Sequence, residues 1–93
     1  MPTLLTPAQI QSNLAALPDW TLEGTSIQLV LTFKNFIEAI EYINRLVEPA
    51  ETAGHHPDLS ISYNRVTISL TTHDAGGLTQ QDFSLAKTLS QVA

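Results

Sequence analysis

Ninety-three residues suit a single domain, 1–93, which at that length buries somewhat over about 60% of the surface its unfolded chain exposes and has room for one sheet and a few helices. The chain has no cysteine, which excludes disulfides, thiolate metal sites and cysteine nucleophiles and makes a reducing cytoplasm the expected home. Nine acidic residues outnumber four basic ones, Lys34, Arg45, Arg65 and Lys87, for a net charge of −5; the cations are scattered singly, so no basic patch exists to hold a phosphate backbone and direct nucleic-acid binding is not expected.

The opening Met-Pro-Thr-Leu-Leu-Thr-Pro has neither a basic region nor a continuous apolar stretch, and no later run is long enough to cross a bilayer. A protein without leader or membrane span is expected. Hydrophobic residues make up 43% of the chain, high for so small a domain, and a buried subunit interface would account for the excess.

Thr6-Pro7-Ala8-Gln9 carries an N-cap hydroxyl, a proline at the first helical position and a glutamine at the third, the capping-box pattern. Ile10, Leu14 and Leu17 then share a face, and Pro18 stops the helix. Trp20 to Thr25 reads as a short strand entering a turn at Glu23-Gly24. Beyond it Ile27, Leu29, Leu31 and Phe33 alternate with Ser26, Gln28, Val30 and Thr32, the period of a half-buried strand.

Asn35 with Glu38 marks a second helix start, and Phe36, Ile40, Ile43 and Val47, with Ala39 and Leu46 beside them, predict a broad apolar stripe. Pro49 either ends this helix near Val47 or kinks it on the way to Ala53. Gly54 suits a C-terminal cap, which leaves His55 and His56 just past the helix end. Leu59, Ile61 and Tyr63, a tight turn at Asn64-Arg65, and Val66, Ile68 and Leu70 predict a β-hairpin. If the returning strand persists to His73, that side chain points away from the apolar core. Ala75-Gly76-Gly77 is a loop, and Thr79 with Asp82 opens a third capped helix bearing Phe83, Leu85, Ala86, Leu89 and Val92. The expected fold is α+β: a four-stranded antiparallel sheet with three helices on one face, in the order α-β-β-α-β-β-α. Such a sheet leaves a face and edges for a second subunit to cover.

All three histidines fall within residues 55 to 73. In the hairpin, the segment before the outgoing strand and the segment after the returning one lie at the same end of the ladder, so His55, His56 and His73 can meet there. Three imidazoles in one pocket make an acid–base site, and Glu51, one helical turn before His55, can accept a hydrogen bond from one of them and fix its tautomer. Two other readings compete. The histidines can be a solvated surface loop, or they can form a three-histidine metal site. Against the metal, neighbouring His55 and His56 point in different directions, and no acidic residue stands at a familiar helical ligand spacing to them. No Gly-x-Ser-x-Gly elbow and no P-loop is present.

Glu51 through His55-His56-Pro57, Tyr63-Asn64-Arg65-Val66, Thr72-His73-Asp74, and Gly77-Leu78-Thr79 with Asp82, Leu85 and Ala86 together resemble the pterin-4a-carbinolamine dehydratase family, a resemblance that runs from about Trp20 to the end. Gly54 departs from the polar residue usual there in the family, and Pro49 interrupts the helix before Glu51. The resemblance implies a homodimer or homotetramer and a hydro-lyase that needs no cofactor and no metal. Its substrate would be a 4a-hydroxytetrahydropterin, a small molecule, and its product a quinonoid dihydropterin, as in tetrahydrobiopterin recycling. By the same resemblance His55 and His73 form the proton-transfer pair, His56 orients the pterin, Glu51 orients a histidine, and Pro57, Thr72, Asp74 and Ala75 line the pocket. Asp82 is read as a helix cap and left outside the site. The alternative is a protein-binding module on the same fold, acting as a dimerisation cofactor or an enzyme-assembly chaperone; what separates the two is the presence of all three histidines, for which a pure binding module has no physical need.

Overall fold

The computed structural model describes residues 3–92. Helix α1 spans Pro7–Ala15, strands β1 and β2 span Thr21–Glu23 and Ser26–Thr32, helix α2 spans Phe36–Ala53, strands β3 and β4 span Asp58–Ser62 and Arg65–Leu70, and helix α3 spans Gln80–Val92. All strand pairs are antiparallel and the spatial order is β1-β2-β4-β3. The three helices cover one face, giving the α+β order the periodicities predict. Among the described residues, no helix is long and apolar enough to cross a membrane.

Local signals explain most boundaries. The Thr6 hydroxyl accepts from the Gln9 N–H at 3.2 Å while Gln9 Oε1 accepts from the Thr6 N–H at 2.8 Å, so the capping box is complete. α1 stops at Ala15 and Leu17 is buried beyond its end, held by an N–H bond to the Leu14 carbonyl. Pairing of Glu23 with Ser26 makes Gly24-Thr25 the two-residue turn, one residue later than the expected Glu23-Gly24, and Gly24 adopts φ 62° there. Alternation in β2 and β4 puts Ile27, Leu29, Val66, Ile68 and Leu70 against the helices. Gln28, Val30, Thr67 and Ser69 take the opposite, uncovered face.

Three further expectations need correction. The buried stripe of α2 contains Ala39 and Leu46 as predicted, but its other members are Tyr42 and Ala50, not Phe36, Ile40, Ile43 and Val47. Tyr42 decides this. It is fully buried, stacks at 5.1 Å on Phe33 and points its hydroxyl at the Leu89 carbonyl, and burial pushes its phenol above the ordinary range, partly offset by nearby Arg45. Of the four residues expected there, Ile43 packs at the margin of the core, and Phe36 and Val47 are exposed. Second, the hairpin turn is Tyr63-Asn64, one residue earlier than expected, since Ser62 pairs with Arg65. Asn64 is tied to Phe33 through backbone and side chain at 2.8 Å each, so Tyr63 takes the left-handed conformation, φ 54°, that a two-residue turn demands. Third, β4 ends at Leu70, and His73 starts a 3-10 turn, His73–Ala75, instead of extending the strand.

Pro49 does not end α2, which continues through it to Ala53. The helix then closes in a Schellman motif. Gly54 at φ 63° gives its N–H to the Glu51 carbonyl, and the His55 N–H goes to the Ala50 carbonyl at 3.2 Å. The helix end therefore fixes the backbone of His55.

Candidate active site

The chain departs from α2 at Gly54 and arrives at β3 by Asp58, while β4 delivers Thr71 to Asp74 beside it, because hairpin strands begin and finish at the same end. A cleft of about 430 Å³ opens between these segments, lined by Gly54, His55, His56, Thr71, Thr72, His73, Asp74 and Gln81. That volume falls in the range of about 300–1,000 Å³ typical of small-molecule sites. All three histidines face one cavity, as the hairpin geometry requires. The loop carrying His73 is closed at its base by paired backbone bonds between Thr72 and Gly77, 3.0 and 3.3 Å, with Gly76 at φ 76° making the return.

Each imidazole has one carboxylate neighbour. His55 Nε2 lies 2.5 Å from Asp82 Oδ1, and the pair is largely withdrawn from solvent, with the histidine side chain 12% exposed and the aspartate 0%. His56 Nε2 pairs with Glu51 Oε2, both well exposed. His73 Nε2 lies 3.8 Å from Asp58 Oδ2, again in the open. Exposed pairs of this kind hold a side chain weakly because water and salt screen them. Only His55 is rigidly mounted.

Asp82 is the residue that sequence reasoning left out. Its Oδ2 accepts from the Thr79 N–H at 2.9 Å, which is the predicted capping contact, and also from the Thr72 hydroxyl at 2.8 Å. Oδ1 remains for His55. A carboxylate only accepts hydrogen bonds, so beside ionised Asp82 the proton between the pair sits on Nε2, and in the neutral ring the nitrogen left without one is Nδ1. Capping and histidine anchoring are thus two uses of one side chain, one for each oxygen. Nothing periodic in the sequence marks the second use, which depends on the start of α3 lying beside the end of α2.

The remaining predicted site residues divide. Glu51 reaches His56, not His55, and with Pro57 it lines a neighbouring apolar groove of about 230 Å³ that includes Ile43, Val47 and Leu59. His56 forms the ridge between groove and cleft. Thr72 lines the cleft, but its hydroxyl is turned inward and committed to Asp82. Ala75 is half-buried in the 3-10 turn and is not among the lining residues. Among the described residues no cluster of three histidine or acidic side chains has the arrangement of a metal site.

A family model described as pterin 4 alpha carbinolamine dehydratase matches residues 3–92. A Cyanothece protein provisionally named pterin-4-alpha-carbinolamine dehydratase is 60% identical over 93 residues, which is 100% of this chain and 96% of that protein. A crystal structure from Brucella melitensis, described as a transcriptional coactivator/pterin dehydratase, superposes with a TM-score of 0.91 at 31% identity, covering 98% of this chain and 99% of that one. A pterin dehydratase-like protein, described as a RuBisCO assembly factor of the alpha-carboxysome, has a TM-score of 0.63 at 16% identity over 80% of this chain and 86% of that one, a likeness of fold alone. The match along nearly the whole chain, with histidines gathered in one cleft, places this protein in the pterin-4-alpha-carbinolamine dehydratase family.

Proposed function

We propose that the protein dehydrates a 4a-hydroxytetrahydropterin to the quinonoid dihydropterin by histidine general acid–base catalysis. The observation that carries this reading is the single cleft faced by His55, His56 and His73, with His55 held by a buried carboxylate. The reaction breaks the C4a–O bond, the oxygen leaves as water after gaining a proton, and N5 loses its proton as its electron pair forms the C4a–N5 double bond. With Nε2–H given to Asp82, His55 presents Nδ1 as the base that takes the N5 proton. His73, on its exposed turn, is the acid for the leaving hydroxyl. His56 orients the pterin and is itself oriented by Glu51, while Asp74 and the backbone of Thr72 and His73 contact the ring.

The test is stopped-flow absorbance with freshly generated 4a-hydroxytetrahydropterin. The purified protein is expected to accelerate dehydration equally with and without a chelator. A rate equal to the uncatalysed one would remove the enzyme reading and leave a protein-binding role on this fold. Loss of rate with chelator and its return with zinc would replace acid–base catalysis by a metal site.

We further propose a homodimer or homotetramer. β3 is an edge strand whose five residues are all exposed, its Leu59 and Ile61 present apolar side chains, and Val47 of α2, 58% exposed, shares a groove with Leu59. Edge strands with apolar flanks are normally covered, and a second copy of this chain supplies a matching edge. Sedimentation at micromolar concentration is expected to give a dimer or larger, and a monomer there would refute the proposal.

A further inference from the structure

Beneath the cleft lies a polar chain that the acid–base reading does not use. Thr79 Oγ1 and Thr72 Oγ1 are 2.8 Å apart, Thr72 Oγ1 is 2.8 Å from Asp82 Oδ2, and all three residues are buried, at 2%, 5% and 0% exposure. The direction of this chain follows from counting protons. Asp82 can only accept, so the one hydroxyl proton of Thr72 goes to Oδ2, and Thr72 must then accept the proton of Thr79. With Asp82 as the carboxylate, the order is Thr79 O–H to Thr72, Thr72 O–H to Asp82, and His55 Nε2–H to Asp82 from the other side. No buried side-chain nitrogen or oxygen among the described residues is left without a partner.

Thr72 is also the residue whose backbone closes the loop carrying His73, through its two bonds with Gly77. Its side chain therefore reaches the mount of one histidine while its main chain anchors the turn of another. We infer that Thr72 is a positioning residue: its hydroxyl clamps Asp82 and so sets His55 in register with the turn that bears His73. This rests on the proposed dehydratase reading for its effect on rate, but the clamp itself is a property of the folded protein. Thr79 is subordinate. Removing its hydroxyl leaves the Thr72–Asp82 bond in place, and its own backbone N–H still reaches Asp82.

The experiment compares Thr72→Val, Thr72→Ser, Thr79→Val and the double variant Thr72→Val/Thr79→Val, by steady-state kinetics and by 15N NMR of the imidazole nitrogens. Valine keeps the shape of threonine and removes only the hydroxyl. Thr72→Val is expected to lower kcat about tenfold with KM within about twofold, since a loosened catalytic group costs rate more than binding. Thr72→Ser should restore kcat to within about threefold, and Thr79→Val should cost no more than that. The His55 signals should report one tautomer, protonated at Nε2, in the parent and a mixture in Thr72→Val. The double variant should match Thr72→Val in kcat but melt at a higher temperature, because the Thr79 hydroxyl proton is no longer stranded.

Unchanged His55 signals in Thr72→Val, or a larger effect from Thr79→Val than from Thr72→Val, would overturn the inference. The NMR arm stands apart from turnover. If the parent shows no dehydratase activity, the functional reading fails while the tautomer shift still decides the clamp. Should Thr72→Val not fold, Thr79→Val and Thr72→Ser are read the same way: a His55 signal disturbed by the first and kept by the second contradicts the stated direction.

Discussion

His55→Ala is expected to lower kcat about 10²–10⁴-fold, the range that a positioned acid or base supplies, with little change in KM. The loss is predicted to exceed that of either other histidine because only His55 is held from behind in a dry setting, whereas His56 and His73 meet their carboxylates in solvent. Truncation also leaves Asp82 Oδ1 buried without a donor, at about 1–3 kcal/mol, so a fall in melting temperature is expected alongside. His55→Gln separates the two effects. Its amide can still donate to Asp82 and relieve the fold, but it cannot take a proton. A glutamine variant with near-parent melting and near-parent kcat would end the case for His55 as the base.

The second large effect is expected at Asp82→Asn. Asparagine has the shape of aspartate but only one accepting oxygen, and that oxygen is best placed where Thr72 and the Thr79 N–H both donate. The amide NH2 then faces His55, whose Nε2 must become an acceptor, and the ring proton moves to Nδ1. The base is thereby turned into a donor toward the substrate. We expect kcat to fall about 10²–10³-fold while stability falls by only about 1–2 kcal/mol. Imidazole 15N shifts check the tautomer directly. A kcat within about threefold of the parent would show that the Asp82 contact has no part in the chemistry.

Much of the fold is written in short-range signals. The Thr6–Gln9 box, the alternation of Ile27 and Leu29, the Asn35 cap and the Gly54 terminus all act over a few residues, and each falls where the spacing predicts. The convergence of the histidines is legible for a similar reason, since a hairpin brings its two outer ends together whatever its side chains. What sequence could not give is set by long-range packing. The face α2 buries is chosen by Tyr42 finding room under Phe33, on the far side of the β2–α2 connection, and beside Leu89, which lies 47 residues further along the chain. The turn is displaced to Tyr63 because Asn64 is held by Phe33. Asp82 looks like an ordinary helix cap until α3 is set beside α2. One of its oxygens obeys a local rule and the other a tertiary one.

The hydroxyl chain under the cleft also bears on how this sequence can change over generations. Positions 55, 72, 79 and 82 share protons one for one, and no buried side-chain nitrogen or oxygen lacks a partner among the described residues. Most single replacements at these positions strand a donor or an acceptor in the interior, so a lineage drifting through point mutations meets a barrier at each first step. Thr79 is the soft end, where loss of a hydroxyl strands nothing that donates. Replacement of Thr72 is easier after Thr79 has changed than before, which gives the two substitutions a preferred historical order. The melting temperatures of the single and double threonine variants measure that order: a double variant no more stable than Thr72→Val alone would abolish it.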